Sequence, residues 1–157
     1  MSNSSNENTR RDFIGATGAA MGLAALASAF TGNSAEGAEV MEVNAMRPTP
    51  EQVKAFLALP EKPVVMVNLL KIKDASEYQK YGMGVSKLLA DIGAEVIFRG
   101  QCQNTFVGGT EWDMFALVRY PSPQAALKMF SLPEYQAIHV HRDAGLAGQI
   151  LMPVFES

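Results

Sequence analysis

Seven consecutive residues, Val64-Val65-Met66-Val67-Asn68-Leu69-Leu70, restrict the fold of this chain more than any other stretch of it. A strand with one face in water alternates apolar and polar side chains. This one is apolar on both faces apart from Asn68, and it is rich in β-branched residues. It predicts a central strand covered on both sides. Thr49-Pro50-Glu51-Gln52 opens a short helix before it: Thr49 can cap, Pro50 suits the first turn, and Gln52 completes a capping box. Val53, Phe56 and Leu57 share one face of that helix, and Pro60 and Pro63 end it. After the strand, Asp74-Ala75-Ser76-Glu77 is another capping box. Tyr78, Tyr81, Val85, Leu88 and Ile92 follow at helical spacing, up to a Gly93 stop. Glu95 to Phe106 predicts a second strand with Gly100 as a bulge. Gly108-Gly109-Thr110 is a turn, and Trp112 to Tyr120 a third strand that closes a hairpin. Ser122 caps the next helix. Ser131-Leu132-Pro133-Glu134 reads as a further capping box, opening a helix from about Pro133 to Ala147. Gly148 breaks it, and Gln149 to Phe155 is the last strand.

The order is a helix followed by βαββαβ, an α+β ferredoxin-like arrangement with an antiparallel sheet. The helices take one face of that sheet. Because the first strand lacks polar alternation, the other face needs a cover too. A second copy of the same sheet is the simplest cover, so a homodimer with its sheets face to face is expected.

The first 38 residues read as an export leader and linker, with the folded domain over 48–157. The string Thr9-Arg10-Arg11-Asp12-Phe13-Ile14-Gly15 precedes an Ala- and Gly-rich run that ends near Phe30. Paired arginines followed by x-Phe-Ile resemble the twin-arginine consensus. That resemblance implies passage through the twin-arginine translocase and a periplasmic or secreted mature protein. Cleavage after Ala29 and after Gly37 both satisfy the small-x-small rule, and an uncleaved anchor is the competing reading. The whole chain carries 13 basic and 16 acidic residues, a net −3. Removing the leader takes away Arg10, Arg11, Glu7, Asp12 and Glu36, which leaves 11 basic and 13 acidic. Such a balance offers no basic face for a nucleic acid.

Several strings resemble the domain-of-unknown-function 1330 family. Val65-Met66-Val67-Asn68-Leu69-Leu70-Lys71 is similar to its opening strand. Trp112-Asp113 with Ala116-Leu117-Val118-Arg119-Tyr120-Pro121-Ser122 is similar to its third strand and turn. Pro133-Glu134-Tyr135-Gln136-Ala137-Ile138, with His141-Arg142, is similar to its last helix. The resemblance covers roughly residues 48–155. It implies the dimeric α/β-barrel superfamily, and it brings a fold with no assigned activity. His139 is a departure, at a position where a small or apolar residue is expected as often as His.

The informative polar residues are those inside apolar runs. A buried amide at Asn68 needs a hydrogen bond, so it either meets a backbone partner or points into a cavity. Arg99, after Val96-Ile97-Phe98, either pairs with Asp113 or Glu111 across the hairpin or binds an anion. Tyr135, His139 and Arg142 are spaced i, i+4, i+7 and share one helix face, with His141 turned away. On one reading that face borders a pocket in which His139 is a catalytic base and Arg142 or Arg99 holds an oxyanion. On the other it is a surface helix whose Tyr packs on the sheet while His and Arg meet water. The second is favoured for the two histidines, because neither has an obvious carboxylate to orient it. Trp112 fits core or dimer packing better than a substrate platform. Met66, Met83, Met114, Met129 and Met152 fit core filling, and Cys102 a buried thiol. The residues offer no metal-ligand spacing, so no metal site and no cofactor are expected.

The resulting expectation is a small-molecule pocket between sheet and helices, lined by Asn68, Arg99, Trp112, Tyr135 and His139. Superfamily analogy implies cofactor-independent oxygenation or isomerisation of a small organic acid or aromatic. A non-catalytic ligand-binding or interaction module is the alternative. An enclosed cavity with a titratable group inside it separates the two.

Overall fold

The apolar strand lies in the middle of the sheet. In the computed structural model, which describes residues 46–157, β1 (Val64–Ile72) pairs antiparallel with β3 (Met114–Tyr120) on one side and β4 (Leu146–Val154) on the other. With β2 (Glu95–Gln101) the order is β2-β3-β1-β4, the ferredoxin-like α+β topology. Helices α1 (Pro50–Leu57), α2 (Ala75–Asp91), α3 (Pro123–Phe130) and α4 (Pro133–Gly145) complete the domain. The leader lies outside the described residues. Among the described residues no helix is long and apolar enough to cross a membrane.

Helix ends obey the sequence signals unevenly. Thr49 and Gln52 form the reciprocal capping box of α1. Asp74 caps α2 through Ser76 N and Glu77 N, but its own N–H donates to Gly145 O. Glu77 turns away to Lys80 and His141. The box expected at Ser131 is absent: α4 starts after Leu132 with no side-chain cap, and the Ser131 hydroxyl donates to Leu127 O as the end of α3. The two helices are too closely joined for one serine to serve both. Helix α4 passes into β4 without a loop, two residues earlier than the Gly148 break. Gly145 sits at that junction because a Cβ there would lie 2.6 Å from Tyr78 N. Both hairpin strands are shorter than expected. β2 stops at Gln101, Trp112 precedes β3, and the register shift falls between Val96 and Phe98 instead of at Gly100.

Strand alternation sorts the two sheet faces. Val64, Met66, Asn68 and Leu70 are buried under the helices, where Tyr81, Val85, Leu89, Met129 and Tyr135 build the core. Val65, Val67 and Leu69 point the other way and are half-buried. In register with Val67 lie Leu117 and Met152, and Phe98 lies beyond Leu117. No described helix covers this face, and Phe98 and Met152 remain 52% and 43% exposed. The methionines therefore divide: Met66 and Met129 fill the core, Met114 is half-buried, and Met83 and Met152 are exposed. Cys102 is half-buried, not enclosed.

Candidate functional site

Helix α4 turns three polar side chains toward the sheet. Tyr135, His139 and Arg142 share its buried face with Gly145, as their spacing requires. They line a cavity of about 660 Å³. Its other walls come from Met46–Pro48, α1, Leu127 and Phe130 of α3, Met66 of β1, and β4. Leu151 and Pro153 reach it because they pair with Asn68 and Met66 and so face the helices. The expectation that His139 and Arg142 meet water does not hold, since they are 8% and 5% exposed.

Arg142 is the dominant charge at this site. Its Nε and Nη2 donate to the single oxygen Oε1 of Gln149, at 3.0 and 2.7 Å. Its guanidinium lies over the Tyr81 ring, 5.0 Å from the centroid. The Tyr81 hydroxyl is 3.5 Å from that of Tyr135. Burial raises the phenols of Tyr78 and Tyr135, so these neighbours stay protonated and uncharged at neutral pH. Among the described residues no carboxylate is within ion-pair distance of Arg142.

His139 does have a carboxylate beside it. Asp143 Oδ1, a buried oxygen, is 3.4 Å from His139 Nδ1. Arg47 approaches from the segment before α1, with Nη1 3.0 Å from Nδ1 and 3.3 Å from Nε2 of the ring. Its Nη2 donates to Asp143 Oδ2 at 2.5 Å. A guanidinium can donate only to an unprotonated ring nitrogen, so this contact fits the neutral imidazole. Burial holds His139 below its ordinary value; Asp143 opposes the shift, while Arg47 and Arg142 reinforce it. His141, on the far side of the helix, meets Glu77 Oε2 at 2.7 Å and ties α4 to α2.

Of the five residues expected at the pocket, Tyr135 and His139 line the cavity. Asn68 is buried on the same side of the sheet but donates to its own strand, at Met66 O, and does not line it. Arg99 is exposed on β2, separated from β1 by β3, and Trp112 lies before β3; neither lines the cavity. Asp113, one of the two expected partners of Arg99, instead accepts from Ile72 N at 2.6 Å and lies 3.4 Å from Lys71 Nζ. Three residues of the site escaped the sequence reading. Asp143 was detectable, because it stands four residues after His139 on the same helix. Arg47 was not, since His139 is 92 positions away, and Gln149 was not, since it meets Arg142 from the following strand and Met46 from 103 positions away. Among the described residues no cluster of His, Cys, Asp and Glu is placed to hold a metal ion.

Known proteins share the family and the fold. The family model described as domain of unknown function (DUF1330) matches residues 63–152. The RPA0582 protein of unknown function from Rhodopseudomonas palustris is 26% identical over 71% of this chain and 95% of its own, with a TM-score of 0.68. The methylated form of RPA0582 gives 24% identity over 74% and 97%, with a TM-score of 0.70. A dimeric protein of unknown function with a ferredoxin-like fold, from Bacteroides fragilis, is 12% identical over 60% and 96%, with a TM-score of 0.43. No curated relative matches the chain.

A depressed histidine makes stability depend on pH in a fixed direction. The unfolded imidazole takes its proton near 6.5, and the folded one at a lower pH. The stability this group contributes is complete above the unfolded value and is lost as pH falls through the folded one. NMR titration of His139 should give a midpoint below 6.5. His139→Gln should flatten the fall in unfolding temperature over that window. A midpoint above 6.5 would mean that Asp143, and not burial, governs the ring.

Proposed function

The chain belongs to the DUF1330 family, whose description carries no activity, and we propose from its own residues that the domain binds a small organic acid beneath α4 and moves a proton on it. The observation that carries this reading is the buried guanidinium of Arg142, which borders a cavity and has neutral hydrogen-bond and ring partners. An unpaired buried charge costs several kcal/mol. A ligand carboxylate supplies the missing charge, and the planar fork of Arg142 can take both of its oxygens. Phe56, Met66, Leu127 and Phe130 suit the apolar body of such an acid.

His139 lies one helical turn from Arg142 and is neutral at pH 7. In a β,γ-unsaturated acid held on Arg142, a proton leaves the carbon beside the carboxylate for the unprotonated ring nitrogen, which Arg47 must first release. The electron pair moves into the carboxylate, where Arg142 opposes the developing charge. The proton then returns two carbons further on, which shifts the double bond. This isomerisation consumes no co-reactant and needs no cofactor.

The apolar open face of the sheet supports a homodimer, with a second copy laid sheet to sheet. Exposed apolar patches of this kind mark interaction surfaces. The arginine pair at Arg10 and Arg11 supports export through the twin-arginine translocase and work in the periplasm or outside the cell.

Each of these three proposals has its own test. With small unsaturated acids in D₂O, proton NMR should show deuterium entering at the carbon beside the carboxylate. Arg142→Gln should weaken binding by about 30-fold or more, as expected for losing a buried charge-assisted contact. His139→Gln should still bind but not exchange; equal exchange in that variant removes the base, and equal binding by Arg142→Gln removes the site. Light scattering should find a dimer at micromolar concentration, and Val67→Asp, which places a charge on the open face, should yield monomers or unfold the chain. A stable wild-type monomer contradicts the assembly. Replacing Arg10 and Arg11 together by Lys should hold the precursor in the cytoplasm, and efficient export of that form would remove the twin-arginine reading.

A further inference from the structure

We propose that the Gln149 side chain is an internal stand-in for the ligand: its amide occupies the Arg142 fork, and a monocarboxylate binds by displacing it. This inference rests on the reading that the site takes a carboxylate, and it adds how the acid enters and what its arrival moves. The Nε–Nη2 edge of a guanidinium is one on which a carboxylate seats two oxygens, one per donor. In this structure both donors converge on a single amide oxygen, at 3.0 and 2.7 Å. An amide brings a partial charge to a group that carries a full one. A carboxylate in the same place brings a full charge and an acceptor for each donor.

The other end of Gln149 links the exchange to the cavity wall. Its Nε2 donates to Met46 O at 3.1 Å. The next residue, Arg47, grips Asp143 and His139. Displacing the amide therefore releases Met46 just where the Met46–Pro48 segment closes over the base. The identity of the residue matters. A glutamate at this position would neutralise Arg142 permanently and block the fork, whereas the neutral isostere holds its geometry and leaves its charge to the ligand. The competing role is plain support, in which Gln149 orients Arg142 for the acid. The two roles predict opposite responses to removal of the amide.

The test is calorimetric titration of the full chain with benzoate and with hexanoate, alongside the unfolding temperature of each variant. Gln149→Ala should bind at least one of these acids about tenfold more tightly than wild type, because no charge-assisted contact has to be broken first. Gln149→Glu should lose binding about tenfold or more while unfolding at or above the wild-type temperature. If the alanine variant lacks a cooperative transition, Gln149→Asn, whose shorter amide cannot span the same gap, should move affinity in the same direction. Weaker or unchanged affinity in a folded Gln149→Ala, or wild-type affinity in Gln149→Glu, overturns the displacement while leaving Arg142 as the anion site. Absence of binding to both wild type and Gln149→Ala overturns the carboxylate reading itself.

Discussion

A positive charge buried without a negative partner is the constraint on which the rest of this site depends. Arg142 cannot release its proton, so the fold must hold it by other means. A tyrosine ring lies against its face, and one amide oxygen receives two of its N–H groups. These contacts give the guanidinium a fixed orientation but only partial electrostatic relief. Such a group is expensive to keep as pure structure, since an apolar side chain of similar volume in its place is often neutral or stabilising. On the proposed function, its position beside a cavity gives that cost a use.

The sheet presents two different faces because its strands alternate. One set of β1 side chains packs under the helices, and the cavity opens along that side where β4 pairs with it. The other set faces outward with Leu117 and Met152, where no described helix lies. On the proposed assembly, partner contact and ligand contact fall on opposite faces of one layer. A substitution on the open face then reports on association, and one on α4 reports on the site.

Much of this was readable from local pattern. The lack of polar alternation in Val64–Leu70 identified the central strand, and the period of α4 put Tyr135, His139 and Arg142 on one face. Local pattern failed where a residue had two competing uses. Ser131 ends α3 and so cannot cap α4, and Glu77 leaves its capping position for Lys80 and His141. It also failed for Arg99, whose apolar surroundings suggested a pocket. The strand order puts β3 and β1 between it and the β4 side where the cavity lies. Gln149 and Arg47 look like ordinary polar residues in sequence, and only tertiary packing brings them onto Arg142 and His139.

The central claim is that Arg142 is the anion-binding group, and its own side-chain resonance tests it most directly. In a ¹⁵N–¹H spectrum of the arginine Nε groups, Arg142 should give a slowly exchanging signal, assigned by its disappearance in Arg142→Gln. Adding benzoate should shift that signal in step with saturation. An Arg142 signal that stays in place while the acid saturates the protein would contradict the account.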